Sequence, residues 1–347
     1  MTRIIYWNNS CLQPEIEAIS KEVFQLARHF TPSLIFGINP HYGLTVSRQQ
    51  RYVGFHPAFD PLLRLLIPVL ARQCDISHVY GDVLPWTFYK TLHRKPLIMT
   101  IAAEEPTCHL DFLERCSKVL VQTETLRTKL IDLGLAQQVV EVVYPGIDLG
   151  PFHPLTTPRR VRGTPKILFA TAPRSYEELA ARGVDLLLDA AQQSPEIHYR
   201  LLYRSWRHDY TSLAPTVRKI EAAGLRNVML TNGVVADMPG LYHTHHFTII
   251  PYTRPDGGKA CPTSLLEGLA CGVPVLISSV SPFAPFVAAQ HCGVIFEPTP
   301  EGVITAVETG MRQYVALSRR AVQAARQHFS ADTLLRTMGR IYEEVMP

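Results

Sequence analysis

The 347-residue chain lacks several patterns that would assign it to a class of protein at once. Its seven cysteines form no Cys-x-x-Cys pair and no zinc-site spacing with histidine, and no Asp-x-Asp pair occurs. No run approaches the ~20 uninterrupted apolar residues of a membrane span. The apolar start MTRIIYW reaches a polar turn too early for a signal peptide. We therefore expect a cytoplasmic protein with reduced thiols, no disulfide framework and no metal.

Charge is also sparse and evenly spread. Charged residues make up 18% of the chain and the net charge is +4, which is compatible with an anionic ligand. The basic residues form no stripe or block, so the sequence does not predict a nucleic-acid partner. Apolar residues make up 46%, which is ample for buried cores. Because a single core stops growing near ~250–300 residues, the length predicts two domains.

Short β-branched runs alternate with helical patterns along the whole chain, which is typical of parallel sheets covered on both faces. The alternation breaks at PGIDLGPFHPLTTPRRVRGTP, residues 145–165, where five prolines and three glycines indicate a linker. We predict an α/β fold with two Rossmann-like doubly wound parallel-sheet domains facing a central cleft, where strands end and ligands bind. We predict an N-terminal domain at residues 1–155 and a C-terminal domain at residues 156–328. Residues 329–347 are predicted to form a final helix that packs back on the first domain.

The predicted strands are RIIYW, ISHVY, PLIMTIA, KVLVQT and VVEVVY before the break, and KILFAT, HYRLLY, NVMLT, FTIIPY, VPVLIS and GVIFEP after it.

The segment KACPTSLLEGLACGVPVL, residues 259–276, has the clearest chemical pattern. Pro262 suits the first turn of a helix, where the positive end and free amides stabilise a phosphate. Glu267 lies one turn deeper, so its carboxylate can accept hydrogen bonds from a ribose diol. Together these features suggest a nucleoside diphosphate; a plain strand–helix–strand unit with a solvated Glu267 remains the alternative. The amides predicted to bind phosphate are those of Thr263, Ser264 and Leu265.

This segment resembles the signature helix of retaining glycosyltransferases of the family 4 type, which have two Rossmann-like domains in the GT-B architecture. The family pattern has a glutamate, a short apolar stretch, a second glutamate, and then Cys-Gly and Pro-Val. Glu267 stands at the second glutamate, and Lys259 replaces the first. The resemblance implies that Lys259 lies beside the donor sugar or the phosphates.

The resemblance extends over most of the chain and is strongest from about residue 117. The segment RSYEELAARGVDLLLDA resembles the part of the family in which two cations grip the donor diphosphate, here Arg182 and Arg174. An arginine can contact a phosphate through two N–H groups. The segment VMLTNGVVADMPG resembles the turn around the nucleotide base, where the backbone of Gly233 and Val234 would reach the base edge.

The resemblance implies that the N-terminal domain, residues 1–155, binds the acceptor and that the C-terminal domain, residues 156–328, binds the donor. Two departures from the family lie in the N-terminal domain. The sequence WNNSC stands where the family often has glycines, and MTIAAEE has alanine at the family's histidine, with Glu104 and Glu105 just beyond. Glu104 follows a predicted strand end, where catalytic groups often lie, so it joins Arg182, Lys259 and Glu267 as a candidate catalytic residue. A surface position in the loop is an equally acceptable interpretation of Glu104.

Two further segments have competing interpretations. The cluster YHTHHF contains three histidines, but no cysteine or acid has ligand spacing to them, so we expect a structural or surface role. The segment FDPLLRLLIPVLARQ, residues 59–73, is strongly apolar with interspersed arginines. We favour a core helix there, interrupted by two prolines. A helix on the inner face of the membrane, near a lipid-linked acceptor, is the alternative.

The resemblance implies transfer of a sugar from a nucleoside-diphosphate sugar to an acceptor hydroxyl, with retention at the anomeric carbon and without a metal or other cofactor. The acceptor classes left open are a glycan, a lipid-linked molecule and a small molecule. Two other functions remain possible on the same fold: a nucleotide-sugar 2-epimerase, and a non-catalytic nucleotide-sugar-binding protein. The replacement of the first glutamate by Lys259 motivates the second of these.

Overall fold

The computed structural model describes residues 2–11, 17–38, 44–47, 51–81, 96–102, 110–155, 163–171, 173–204 and 211–346. The chain divides into two compact units. Unit 1 comprises Met1–Gly146 and Asp332–Pro347, and unit 2 comprises Ile147–Ala331. The sequence analysis divided the chain at residues 155–156 and 328–329.

Unit 1 contains an eight-stranded sheet. Its strands are β1 (Ile4–Cys11), β2 (Ser33–Ile38), β3 (Leu44–Ser47), β4 (Tyr52–Phe55), β5 (Ile76–Gly81), β6 (Leu97–Ile101), β7 (Lys118–Val121) and β8 (Val140–Val142). Its helices are α1 (Ala18–His29), α2 (Asp60–Ala71), α3 (Leu110–Leu113), α4 (Glu124–Asp132) and most of α12 (Ala331–Val345), with a 3₁₀ turn at Pro57–Phe59. The strand order is β3-β4-β2-β1-β5-β6-β7-β8, and all neighbours are parallel except β3 and β4.

Alternating side chains of β1 explain why helices cover both faces of this sheet. Ile4 and Tyr6 face a core formed with α1 and α12, whereas Ile5 and Trp7 face a core formed with α3 and α4. Four residues of α12 are buried in the first of these cores: Leu334, Met338, Ile341 and Tyr342.

Unit 2 contains a six-stranded, all-parallel sheet in the order β11-β10-β9-β12-β13-β14. Its strands are β9 (Lys166–Phe169), β10 (His198–Tyr203), β11 (Val228–Asn232), β12 (Phe247–Ile250), β13 (Val275–Ser278) and β14 (Gly293–Phe296). Its helices are α5 (Glu178–Ala181), α6 (Val184–Gln193), α7 (Leu213–Ala222), α8 (Met238–His243), α9 (Thr263–Ala270), α10 (Ala284–Gln290) and α11 (Pro300–His328). The chain moves outward from β9 to β11 and then returns to the other side of β9, so the strand order reverses between β9 and β12.

The predicted α/β fold with two doubly wound sheets is confirmed, and all eleven predicted strands are present. Three strands of unit 1 were not predicted, namely β2, β3 and β4. Tyr52–Phe55 is a four-residue strand, and β3 pairs antiparallel at the sheet edge.

The sequence analysis favoured a core helix at residues 59–73. This prediction is wrong for one face of α2. Leu70 and Ala71 are partly buried against the core of unit 1, but Leu62, Leu65 and Val69 are exposed. Among the helices within the described residues, none combines the length and apolar character needed to cross a membrane.

Candidate functional site

The residues predicted to bind a donor in unit 2 follow the ends of neighbouring parallel strands. Thr171 and the segment 173–183 follow β9, and Tyr252 through Glu267 follow β12. The carboxyl ends of parallel strands meet at one edge of a sheet, and ligands bind such sheets where the strand order reverses. This reversal lies between β9 and β12, so the topology of unit 2 brings both predicted donor segments to one place.

The loop after β12 is docked tightly on the turn between α5 and α6. Gly183 adopts a positive φ of 74°, and a Cβ atom there would lie 1.8 Å from the Pro251 carbonyl oxygen. The Thr253 amide donates to the Ala181 carbonyl over 3.0 Å. A Cβ atom on Gly257 would lie 2.4 Å from the same Ala181 oxygen. Glycine is therefore required at both positions, because only a backbone without side chains permits this approach.

Tyr252 connects the two sides of this docked loop. The side chain is fully buried, and its hydroxyl donates to the Lys259 carbonyl over 3.4 Å. A Cβ atom on Gly258 would lie 2.4 Å from the same hydroxyl oxygen. Burial raises the pKa of Tyr252, and the nearby positive charge of Arg182 opposes that rise. Arg182 and Lys259 therefore both lie close to Tyr252.

Lys259 has the most informative environment in the site. Its Nζ atom is buried and has no hydrogen-bond partner among the described residues. The same is true of Ser264 Oγ at the start of α9. Burying an ammonium without a hydrogen-bond partner costs free energy. Buried polar atoms that have no partner within the protein commonly bind a ligand or water. Lys259 Nζ and Ser264 Oγ are therefore both candidates to donate hydrogen bonds to an anionic ligand.

The first turn of α9 differs from the prediction in two details. Pro262 is the N-cap residue in extended conformation rather than the first helical residue, and no side chain caps the helix. The Leu265 amide donates to the Pro262 carbonyl over 3.0 Å, so the prediction that it is a free donor is wrong. Within the described part of the chain, the amides of Thr263 and Ser264 have no backbone acceptor. They remain available to a phosphate at the positive end of the helix.

Glu267 is held by a residue from α8. The Tyr242 hydroxyl donates to Glu267 Oε2 over 2.9 Å, and Tyr242 is fully buried. Burial first, and then the Glu267 charge and this hydrogen bond, raise the pKa of Tyr242 well above its usual value. The Phe152 ring packs edge-on against Tyr242, with 6.3 Å between ring centroids. The carboxylate is thus fixed by a tyrosine that is itself fixed by packing.

Arg182 and Arg174 are connected through Glu178. Arg182 Nε lies 3.4 Å from Glu178 Oε2, and the Arg174 amide donates to the same oxygen over 3.0 Å. One Arg182 nitrogen also donates to the Thr171 carbonyl over 3.3 Å. Arg182 is half-buried at the C-terminal end of α5, whereas Arg174 is exposed. Part of the Arg182 charge is therefore already balanced by Glu178, whereas the described residues provide no partner for Lys259 Nζ.

The other predicted site residues are placed as follows. Gly233, at φ 140°, follows β11, and its amide donates to the Tyr203 carbonyl over 2.9 Å. Val234 is exposed beside it. Both lie at the same carboxyl edge of the sheet as the donor segments. Glu104 and Glu105 lie outside the described residues, so the role predicted for Glu104 stays a prediction.

The three histidines near β12 each have separate partners. His243 Nε2 contacts the His153 carbonyl at 2.9 Å, and His245 Nδ1 contacts the Leu241 carbonyl at 2.8 Å. His246 Nδ1 accepts from the Lys166 amide over 3.0 Å. Within the described ranges, no three histidine, cysteine or acidic side chains are grouped so as to hold a metal ion.

Two residues of the site were not predicted, Tyr242 and Tyr252. Tyr242 is 25 residues from Glu267, and the adjacent histidines were the more conspicuous feature of its segment. Tyr252 ends the predicted strand FTIIPY and precedes the glycine pair that packs against it. An aromatic residue at the end of a predicted strand, separated by four residues from a pair of glycines, was the available signal for close packing.

A protein-family model matches most of unit 2. Residues 165–313 match the family model described as "Glycosyl transferases group 1". By sequence, no curated protein matches the chain.

Solved structures extend the likeness to the whole chain. HepE from Anabaena, crystallised with UDP and glucose, has a TM-score of 0.76 at 16% identity, covering 99% of this chain and 100% of its own. Sucrose-phosphate synthase from Thermosynechococcus elongatus has a TM-score of 0.74 at 13% identity, covering 99% of both chains. A UDP-forming trehalose-phosphate synthase from Burkholderia vietnamiensis has a TM-score of 0.75 at 10% identity, covering 100% of this chain and 98% of its own. The fold is therefore GT-B.

Proposed function

We propose that this protein transfers a sugar from a nucleoside-diphosphate sugar to an acceptor hydroxyl, with retention at the anomeric carbon. The observation that carries the proposal is the buried Lys259 ammonium, which has no partner among the described residues and lies three residues before the uncapped N-cap of α9 in the sequence. An anion with several oxygens, such as a diphosphate, satisfies the ammonium, the Ser264 hydroxyl and the free helix amides together. The match of residues 165–313 to group 1 glycosyl transferases supports the same chemistry.

The diphosphate is the leaving group of such a transfer, so its developing charge must be stabilised. In this proposal Lys259 and Arg182 provide the positive charge, and Arg174 assists from the exposed side. Lys259 contributes most because Glu178 already balances part of the Arg182 charge. These cations take the place of a divalent metal, since the sequence contains no Asp-x-Asp pair. The transfer therefore needs no metal.

Glu267 binds the ribose of the donor in this proposal. The Tyr242 hydroxyl donates to one carboxylate oxygen, Oε2, and thereby fixes the orientation of the other carboxylate oxygen. The backbone of Gly233 and Val234 contacts the base. UDP is the favoured nucleotide, because three of the similar structures contain UDP or UDP-glucose. Retention is proposed from the resemblance of residues 259–276 to the signature helix of retaining enzymes.

The test is incubation of the protein with a panel of nucleotide sugars and an acceptor mixture of glycans, lipid-linked and small-molecule alcohols. Release of the nucleoside diphosphate together with an α-linked product from an α-linked donor supports the proposal. Release of a free nucleotide and an epimerised sugar without an acceptor identifies an epimerase. Binding without any turnover identifies a binding protein.

A further inference from the structure

An exposed arginine, Arg204, directly follows β10 at the carboxyl edge of the unit 2 sheet. β10 and β11 are parallel, and Tyr203 pairs with Asn232. The Gly233 amide donates to the Tyr203 carbonyl over 2.9 Å, so the pairing continues one residue further and places Arg204 opposite Gly233. Neighbouring strands are ~4.8 Å apart. The backbone of Arg204 therefore lies beside the turn that is proposed to contact the nucleotide base.

In the part of the chain that the structure describes, the Arg204 side chain makes no hydrogen bond and no ion pair. Arg200, four residues earlier on β10, differs, because its Nε donates to Thr231 Oγ1 over 3.2 Å. The Arg200 guanidinium is thus tied to the neighbouring strand. The N–H groups of Arg204 are available to a ligand at the edge of the sheet where ligands bind.

The charge of Arg204 reaches the nucleoside side of the proposed donor site. Burial raises the pKa of Tyr242, Glu267 raises it further, and the positive charge of Arg204 opposes the rise. Tyr242 is the residue that donates to Glu267, the proposed ribose acceptor. Asp237, the acid nearest in sequence to the base turn, uses Oδ1 to cap α8. Arg204 is therefore close both to the turn at Gly233 and to the Tyr242–Glu267 pair.

The proposed function sets the orientation of the base. The ribose is held at Glu267, on the helix after β12, and the base points toward Gly233, which follows β11. The edge of the base remote from the sugar therefore meets the ends of β10 and β11. On that edge uracil and guanine have a carbonyl oxygen, whereas cytosine and adenine have an amino group. The Gly233 amide cannot donate to this oxygen, because it already donates to the Tyr203 carbonyl.

We propose that Arg204 donates to the base carbonyl oxygen remote from the sugar, and that it thereby selects keto nucleotides (UDP or GDP) over amino nucleotides (CDP or ADP). A guanidinium can donate but cannot accept, so an amino group at the same place would face donors only. The selection rests on the proposed function, because the proposed donor site is what brings a base to Gly233. It deepens that function by naming a class of donor.

The experiment is calorimetric titration of the full chain with UDP and CDP, and with GDP and ADP, since the members of each pair have the same ring system. Wild type should bind UDP about tenfold more tightly than CDP, and the purines should follow the same order. Arg204→Met keeps an apolar side chain but removes every donor. It should weaken UDP about tenfold and change CDP little. Uridine should lose the same factor as UDP, because the contact is to the base.

Arg200→Met is the matched control, since it removes an arginine from the same strand. It should leave the ratio of the UDP and CDP affinities unchanged. Equal losses for UDP and CDP in Arg204→Met would overturn the proposal, and so would a loss for UDP without a loss for uridine, which indicates a phosphate contact. A wild type that binds UDP and CDP equally would refute the selection and leave the proposed transfer standing. A wild type that binds none of the four nucleotides would contradict both.

Discussion

The Tyr242 hydroxyl donates to the Glu267 carboxylate over 2.9 Å, from a ring that is fully buried between α9 and Phe152. This contact turns an acid on a short apolar helix into a fixed hydrogen-bond acceptor. It also explains why the helix tolerates the acid, since the buried side of the carboxylate has a donor.

Glu267→Ala should weaken binding of a nucleoside diphosphate by about 1–3 kcal/mol, because the ribose hydroxyls lose their acceptor. Tyr242→Phe should weaken it by about 1 kcal/mol, because the carboxylate loses its orientation rather than its presence. Calorimetric titration with UDP measures both. Tyr199→Phe is the matched control, since it removes a buried hydroxyl 3.1 Å from Ser194 in the same unit. A control loss equal to that of Tyr242→Phe would refute a specific role for Tyr242.

Arg182→Ala should weaken binding of UDP by about 2 kcal/mol and leave binding of uridine nearly unchanged. The reason is that, within the ligand, the guanidinium is proposed to contact only the phosphates. Arg312→Ala, an exposed arginine on α11 that donates to Thr309, is the control. Titrations with UDP and uridine on the same preparations separate the contribution of the phosphates to binding from that of the nucleoside. Equal losses for the two ligands would leave Arg182 a structural residue.

Much of this arrangement could be predicted from the sequence because the strand–helix units of unit 2 are regular. The βα alternation predicted both sheets, and the family resemblance predicted Lys259, Arg182 and Glu267 as site residues. The contacts that fix these side chains could not be predicted, since Tyr242 and Glu267 are 25 residues apart. A surface position of α2 was only the alternative to a core helix, because periodicity alone does not distinguish a helix face that meets a core from one that meets solvent.

The stability of unit 1 should fall in mild acid because of His78. His78 is completely buried, and burial lowers its pKa to about 3. Its Nε2 shares a hydrogen bond with Thr100 and its Nδ1 with Tyr342 of α12. In the unfolded chain the pKa is ~6.5, so below that pH the unfolded state binds a proton that the folded state does not. The resulting loss of unfolding free energy is absent above pH ~6.5. Below that pH the loss grows by at most about 1.4 kcal/mol per pH unit, down to about pH 3.

Urea unfolding followed by tryptophan fluorescence between about pH 7 and about pH 5 measures this slope. His78→Gln keeps a donor and an acceptor but does not titrate, so its unfolding free energy should depend less on pH over that range. The same slope in wild type and variant would assign the acid sensitivity to other groups.

The transfer reaction should be insensitive to removal of divalent metals. The proposed cations are side chains, so dialysis against EDTA should leave the rate within the error of the assay. Readdition of Mg²⁺ or Mn²⁺ should have no effect on it. A rate that collapses with EDTA and recovers with either ion would contradict the metal-independent scheme.

The central claim is that Lys259, a buried cation without a partner among the described residues, binds the donor diphosphate. The most direct measurement is calorimetric titration of wild type, Lys259→Met and Lys259→Glu with UDP, UDP-glucose and UDP-glucuronic acid. The account predicts that all three ligands bind wild type, that Lys259→Met weakens every one by about 2 kcal/mol, and that Lys259→Glu weakens them further through repulsion. A loss confined to UDP-glucuronic acid would place the ammonium against a sugar carboxylate instead. Unchanged affinity for every ligand in both variants would contradict the account and place Lys259 outside the site.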